Sequence, residues 1–180
     1  MRKAKVRLTP LERTAYHEAG HVVANYIVGF KMEDVSIVPD KESLGYVTCN
    51  PFKDYDFDSY RIYHIKDYEL IFNTVLKNMA GDISECKAAG KRKLFVNRDD
   101  DDCSLTLFTA CEISGRLKSS IIEAAECYIW DIFDEERPWE LVKLIARTLL
   151  ERKTLTGREI LEIIENSDYR ILRKTLNRPS

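Results

Sequence analysis

The stretch "TAYHEAGHVVANY", residues 14–26, lies inside the clearest helix signal of the chain. The run "TPLE" at residues 9–12 combines an N-cap threonine, a first-turn proline and a glutamate three residues after the cap, which is typical of a helix start. Gly29 is suited to a C-terminal cap. We therefore predict a helix from about residue 10 to residue 28, with the quoted stretch in its middle.

Outside that helix, the pattern of apolar residues predicts a mainly α chain with a small β-sheet, in a single domain over residues 1–180. Strands are expected at 35–38 and 44–49, followed by a surface loop at about 50–65. Further helices are predicted at about 66–90, 100–117, 118–133 and 138–153, with a short terminal helix opened by a capping box at 156–159. The basic ends, about 1–8 and 170–180, are expected to be disordered.

The composition of the chain bears on its partners and on the compartment in which it works. A net charge of -2, with 28 basic against 30 acidic residues, argues against nucleic acid as a partner. The five cysteines are odd in number and form no CxxC pair, so we expect buried, reduced thiols in a cytoplasmic protein. No long uncharged apolar run and no signal peptide are found, so we expect a soluble protein without a membrane span.

The centre of the first helix carries an HExxH motif. Because residues i and i+4 share a helix face, His17 and His21 present two imidazoles side by side and can hold one ion. Glu18 is rotated by about 100° from His17, where it can take a proton from a water on that ion. This is the arrangement of zinc peptidases, in which two histidines and a third ligand leave one position open for water.

The motif alone leaves a structural alternative open, since two histidines can be ordinary core residues that each donate an N–H to a carbonyl. Gly20 argues against that alternative, because a glycine within a helix costs about 1 kcal/mol relative to alanine and usually marks a close approach. The extended metzincin motif does not fit, since Ala24 and Ile27 occupy its glycine and histidine positions.

Several segments in order along the chain resemble the FtsH family, the membrane-linked ATP-dependent zinc proteases. "TAYHEAGHVVA" is similar to the family's signature, and "VSIVPDKESLGYVTCNP" to its strand, proline turn and LGY segment. "MAGDISE" resembles its small-residue helix ending in Ala-Ala-Glu, and "LIARTLLERKTLTGREILEII" its C-terminal helix pair. The resemblance implies an FtsH-type zinc peptidase domain, with His17 and His21 as zinc ligands and Glu18 as the general base.

The resemblance also implies a third zinc ligand, an aspartate at the start of a later helix, which here falls in the run 99–102. Four adjacent aspartates make the alignment ambiguous. At 100° per residue, Asp100 lies closest to the apolar face of that helix, whereas Asp101 points to solvent. We therefore expect Asp100 as the ligand, with Asp99 as the next candidate.

Other residues have weaker predicted roles at the same site. The edge strand Gly45-Tyr46-Val47 is expected to bind substrate, because an extended peptide can add its backbone to a sheet edge. Glu85 is either a carboxylate that orients a ligand histidine or an acceptor elsewhere in the core, and the sequence favours neither. His64 lies in a tyrosine-rich loop region and is expected at the surface.

One departure from the family concerns its other parts. The phosphate-binding GxxxxGK[ST] loop of the ATPase and the membrane helices are not in this sequence. We therefore expect a stand-alone zinc peptidase acting on peptides or unfolded proteins, with a separate ATPase or a homo-oligomer as possible partners. The alternative is a catalytically silent module that binds unfolded segments or a partner protein.

Overall fold

A computed structural model describes residues 7–39, 44–49, 65–92 and 115–169. Within these ranges the protein is mainly helical with a small antiparallel sheet, as predicted. The elements, in chain order, are α1 (Pro10–Val28), β1 (Met32–Ser36), β2 (Tyr46–Cys49), α2 (Ile65–Ala88), α3 (Gly115–Asp134), α4 (Glu136–Arg152), β3 (Thr154–Thr156) and α5 (Gly157–Glu165).

Helix α1 has the ends that its sequence predicts. The Thr9 side chain accepts a hydrogen bond from the Glu12 backbone N–H, and the Glu12 carboxylate accepts one from the Thr9 N–H at 2.7 Å. At the other end Gly29 adopts a left-handed conformation and closes the helix. Most of α1 from Glu18 onward is buried in the core, including the polar residues Glu18, His21 and Asn25.

Helices α1 and α2 pack with their backbones in unusually close contact. A Cβ atom on Gly20 would collide with the carbonyl oxygen of Ala80 and lie 2.5 Å from the Ser84 hydroxyl oxygen. That hydroxyl donates to the carbonyl oxygen of Tyr16, which ties the two helices together beside the glycine. The close approach brings α2 directly against the histidine face of α1, and it explains the glycine in the middle of the helix.

The sheet has strand order β2-β1-β3, and both pairs are antiparallel. Val35 in the central strand pairs with Val47 on one side and Leu155 on the other. Val35 and Leu155 are buried in the core that the helices share. Strand β2 is therefore an edge of the described sheet, with Tyr46 40% exposed.

Several predicted boundaries are wrong. The first strand covers Met32–Ser36 and not 35–38, because pairing with both neighbours, rather than the apolar run, sets its limits. The predicted break between residues 117 and 118 is absent, since both belong to α3. Strand β3 was not predicted at all.

Other predictions concern the part of the chain outside the described residues. These are the helix predicted over 100–114, the loop predicted over 50–64 and the disorder predicted for the ends at 1–6 and 170–180.

The cysteines differ in part from expectation. Cys49 and Cys86 are half-buried thiols that pack against the core, and Cys127 is an exposed thiol, so none of these three is fully buried. Cys103 and Cys111 lie outside the described residues. Within the described ranges, no helix combines the length and the apolar composition needed to cross a bilayer.

Candidate metal centre

The two histidines of α1 come together as the motif predicts. Nε2 of His17 and Nε2 of His21 are 3.0 Å apart, and the two rings meet edge to face at 80°. A tetrahedral zinc ion with Zn–N distances of about 2.0–2.1 Å separates two imidazole nitrogens by about 3.3–3.4 Å. The observed separation is close to that value, and it is also an ordinary hydrogen-bond distance between the two rings.

The outer nitrogen of each ring faces an acceptor on α2. Nδ1 of His21 lies 2.7 Å from the carbonyl oxygen of Lys77, which can only accept, so this nitrogen carries the proton. Nδ1 of His17 lies 3.7 Å from Oδ1 of Asp82. If the proton of His17 is on Nε2, that N–H donates to Nε2 of His21 across the 3.0 Å contact. If it is on Nδ1, two Nε2 lone pairs face each other, which is the arrangement that a shared cation would need.

The protonation state of His21 suits a metal ligand. Burial, together with the neighbouring His17, holds the pKa of His21 well below its usual value. The ring is therefore neutral near pH 7, and neutral imidazole is the form that binds metal ions.

Gly81 on α2 packs closely against the two Nε2 atoms. A Cβ atom at this position would lie 2.5 Å from Nε2 of His21 and 2.7 Å from Nε2 of His17. Any side chain there would therefore collide with both imidazoles. The glycine lets the backbone of α2 approach the histidine pair of α1.

Glu18 lies beside the histidines and under the edge strand. Its side chain is only 5% exposed, and its Oε1 is 2.8 Å from the point where a Cβ on Gly45 would lie. The residue before β2 thus passes directly over the carboxylate. The structure therefore brings together the predicted base and the first residue of the predicted substrate strand, while Tyr46 and Val47 follow within β2.

Glu85 forms an ion pair with Arg13 and also lies near His17. Its Oε1 accepts from Nε of Arg13 at 2.7 Å, and Nη2 of the same guanidinium is 2.6 Å away. Ligand atoms of Glu85, Asp82 and His17 also lie within 4.8 Å of one another, so this group is a second arrangement that could hold a cation. It differs from the HExxH pair, because Asp82 faces Nδ1 of His17 whereas His21 faces Nε2.

The predicted third ligand lies outside the described residues. Asp100, its alternative Asp99 and the rest of the run 99–102 fall there, as does His64.

Sequence reasoning missed three contributions from α2: the Lys77 carbonyl, Gly81 and Asp82. Gly81 and Asp82 belong to the "MAGDISE" segment that was singled out for its glutamate.

No protein-family model matches this chain, and no curated protein is similar enough to it to count as a relative. What the site does is therefore inferred from its residues and their arrangement.

Proposed function

We propose that this protein is a zinc-dependent metallopeptidase that hydrolyses peptide bonds in peptides or unfolded proteins. The observation that carries the proposal is the approach of two histidine Nε2 atoms to 3.0 Å, one turn apart on α1 and next to the buried Glu18. In this proposal His17 and His21 hold Zn²⁺. A carboxylate from the run 99–102, Asp100 by the helical phase, completes the protein ligands.

Glu18 is the general base of the proposed reaction. When bound, the zinc ion activates a water molecule for attack on the peptide carbonyl. The Glu18 carboxylate accepts the proton of the attacking water and returns it to the nitrogen of the leaving amine. Its burial, at 5% exposure, excludes bulk water from this proton transfer.

The substrate is proposed to bind as an added strand along β2. This strand is an edge of the described sheet, and the residue before it, Gly45, lies against Glu18. A peptide in this position donates and accepts backbone hydrogen bonds, which require an extended chain but no particular sequence. Peptides and unfolded proteins meet that requirement, whereas a folded domain does not.

The proposed compartment is the cytoplasm. The described cysteines are thiols that form no disulfide, and thiols persist where glutathione and thioredoxin keep them reduced.

Cleavage of an unfolded protein tests the proposal. Zinc-loaded protein is expected to cut casein and to leave a stable folded domain intact, because only an unfolded chain can add to the edge strand. Removal of zinc with a chelator is expected to abolish cleavage, and one equivalent of Zn²⁺ is expected to restore it. Gel electrophoresis and mass spectrometry of the fragments measure the outcome. A zinc-loaded protein that leaves casein intact would contradict the proposed function.

A further inference from the structure

The outer nitrogens of the two histidines face different kinds of acceptor. Nδ1 of His21 donates to a main-chain carbonyl, that of Lys77, at 2.7 Å. Nδ1 of His17 instead faces a charged side chain, since Oδ1 of Asp82 is 3.7 Å away. The first contact is fixed by the backbone of α2, whereas the second depends on one side chain that substitution can remove.

We infer that Asp82 is a positioning residue that orients His17 for metal binding and strengthens it as a ligand. This inference rests on the proposed zinc site. A carboxylate that accepts the Nδ1 proton fixes the imidazole tautomer, directs Nε2 towards the ion and raises the basicity of the ligand nitrogen. A charge-assisted hydrogen bond of this kind spans about 2.7–2.9 Å, so a side-chain rotation that closes about 1 Å completes it.

The distances assign this role to Asp82 and not to Glu85, since Oδ1 of Asp82 faces Nδ1 of His17. The Glu85 carboxylate is engaged by the Arg13 guanidinium through two contacts, at 2.6 and 2.7 Å. Asp82 lies one residue after Gly81, so its carboxylate approaches the outer nitrogen of His17 while the glycine faces the inner one. One turn of α2 thus supplies both the glycine that packs against the two Nε2 atoms and the carboxylate beside the outer nitrogen of His17.

The partial exposure of His17 and Asp82 limits how strongly the carboxylate can influence zinc affinity. The side chains of His17 and Asp82 are 25% and 29% exposed, so water weakens their attraction but does not remove it. Loss of such an outer partner typically lowers metal affinity by about 10–100-fold. Because the Asp82 side chain is 29% exposed and alanine is a good helix former, Asp82→Ala is expected to fold.

Zinc affinity, measured by competition with a chromophoric chelator, tests the inference. Asp82→Ala is expected to weaken zinc binding by about 10–100-fold, and Asp82→Glu to recover most of the loss by restoring a carboxylate. Asp131→Ala, which removes an exposed carboxylate from α3, is the matched control and is expected to leave the affinity unchanged. The absorption spectrum of the Co²⁺-substituted protein is expected to shift in Asp82→Ala alone, since the donor strength of His17 changes.

Two results would overturn the inference, and they are distinguishable. If wild type and Asp82→Ala bind zinc with affinities within two-fold of each other, Asp82 has no positioning role, although the proposed function stands. If the wild-type protein has no zinc affinity, both the inference and the proposed function fail.

Discussion

Glu18→Gln is expected to bind zinc as tightly as the wild type while losing about 100- to 10,000-fold of its peptide hydrolysis. Glutamine has nearly the same size and shape as glutamate, so it fits the buried position beside Gly45 without a new collision. It cannot accept the proton of the attacking water. Initial rates on a fluorogenic peptide and zinc content per chain, measured on the same preparations, give the two quantities.

The control for this substitution is Glu151→Gln, which changes an exposed glutamate of α4 in the same way. It is expected to leave both activity and zinc content unchanged. If Glu18→Gln keeps more than half of the wild-type rate, Glu18 is not the general base. If neither the wild type nor Glu18→Gln cleaves peptides, but both bind unfolded chains equally, the protein is better described as a catalytically silent binding module.

Gly81→Ala is expected to abolish stoichiometric zinc binding, and with it activity. The added methyl group would lie 2.5 and 2.7 Å from the two Nε2 atoms, so the imidazoles would have to leave the positions in which they could share an ion. The atoms it meets are the ends of two side chains, which can rotate away, and alanine favours a helix by about 1 kcal/mol over glycine. The fold should therefore survive, with the histidine pair separated. Isothermal titration with Zn²⁺ and circular dichroism of the metal-free protein measure both effects.

Gly20→Ala provides the matched comparison, because it adds the same methyl group to the same helix interface. Its Cβ would meet the backbone oxygen of Ala80, which cannot move away without separating α1 from α2. Overpacking of this kind costs about 1–3 kcal/mol, so this variant is expected to melt at a lower temperature and to retain zinc while folded. Equal zinc affinities for Gly81→Ala and the wild type would show that the ion does not bind at the histidine pair.

The fold was predictable where the signal is local. The capping box at Thr9, the closing Gly29 and the second capping box at Thr156 each rest on residues within one turn of one another, and each is present. Strand β3 could not be predicted, since its three residues are extended only because β1 pairs with them. The limits of β1 shifted for the same reason.

In the candidate site too, residues placed by local spacing were predictable and residues placed by helix packing were not. His17, Glu18 and His21 follow from helical spacing, because all three lie on α1 within two turns. The contributions of Gly81 and Asp82 depend on the packing of α2 against α1, and no spacing within either helix reveals which residues meet.

A crystal structure of the protein with bound zinc, with anomalous data collected at the zinc edge, tests the central claim most directly. We predict one ion about 2.0–2.1 Å from Nε2 of both His17 and His21, with a carboxylate from the run 99–102 as the third protein ligand. An ion held instead by Asp82, Glu85 and Nδ1 of His17, or histidine rings that turn away from each other when zinc is present, would contradict it.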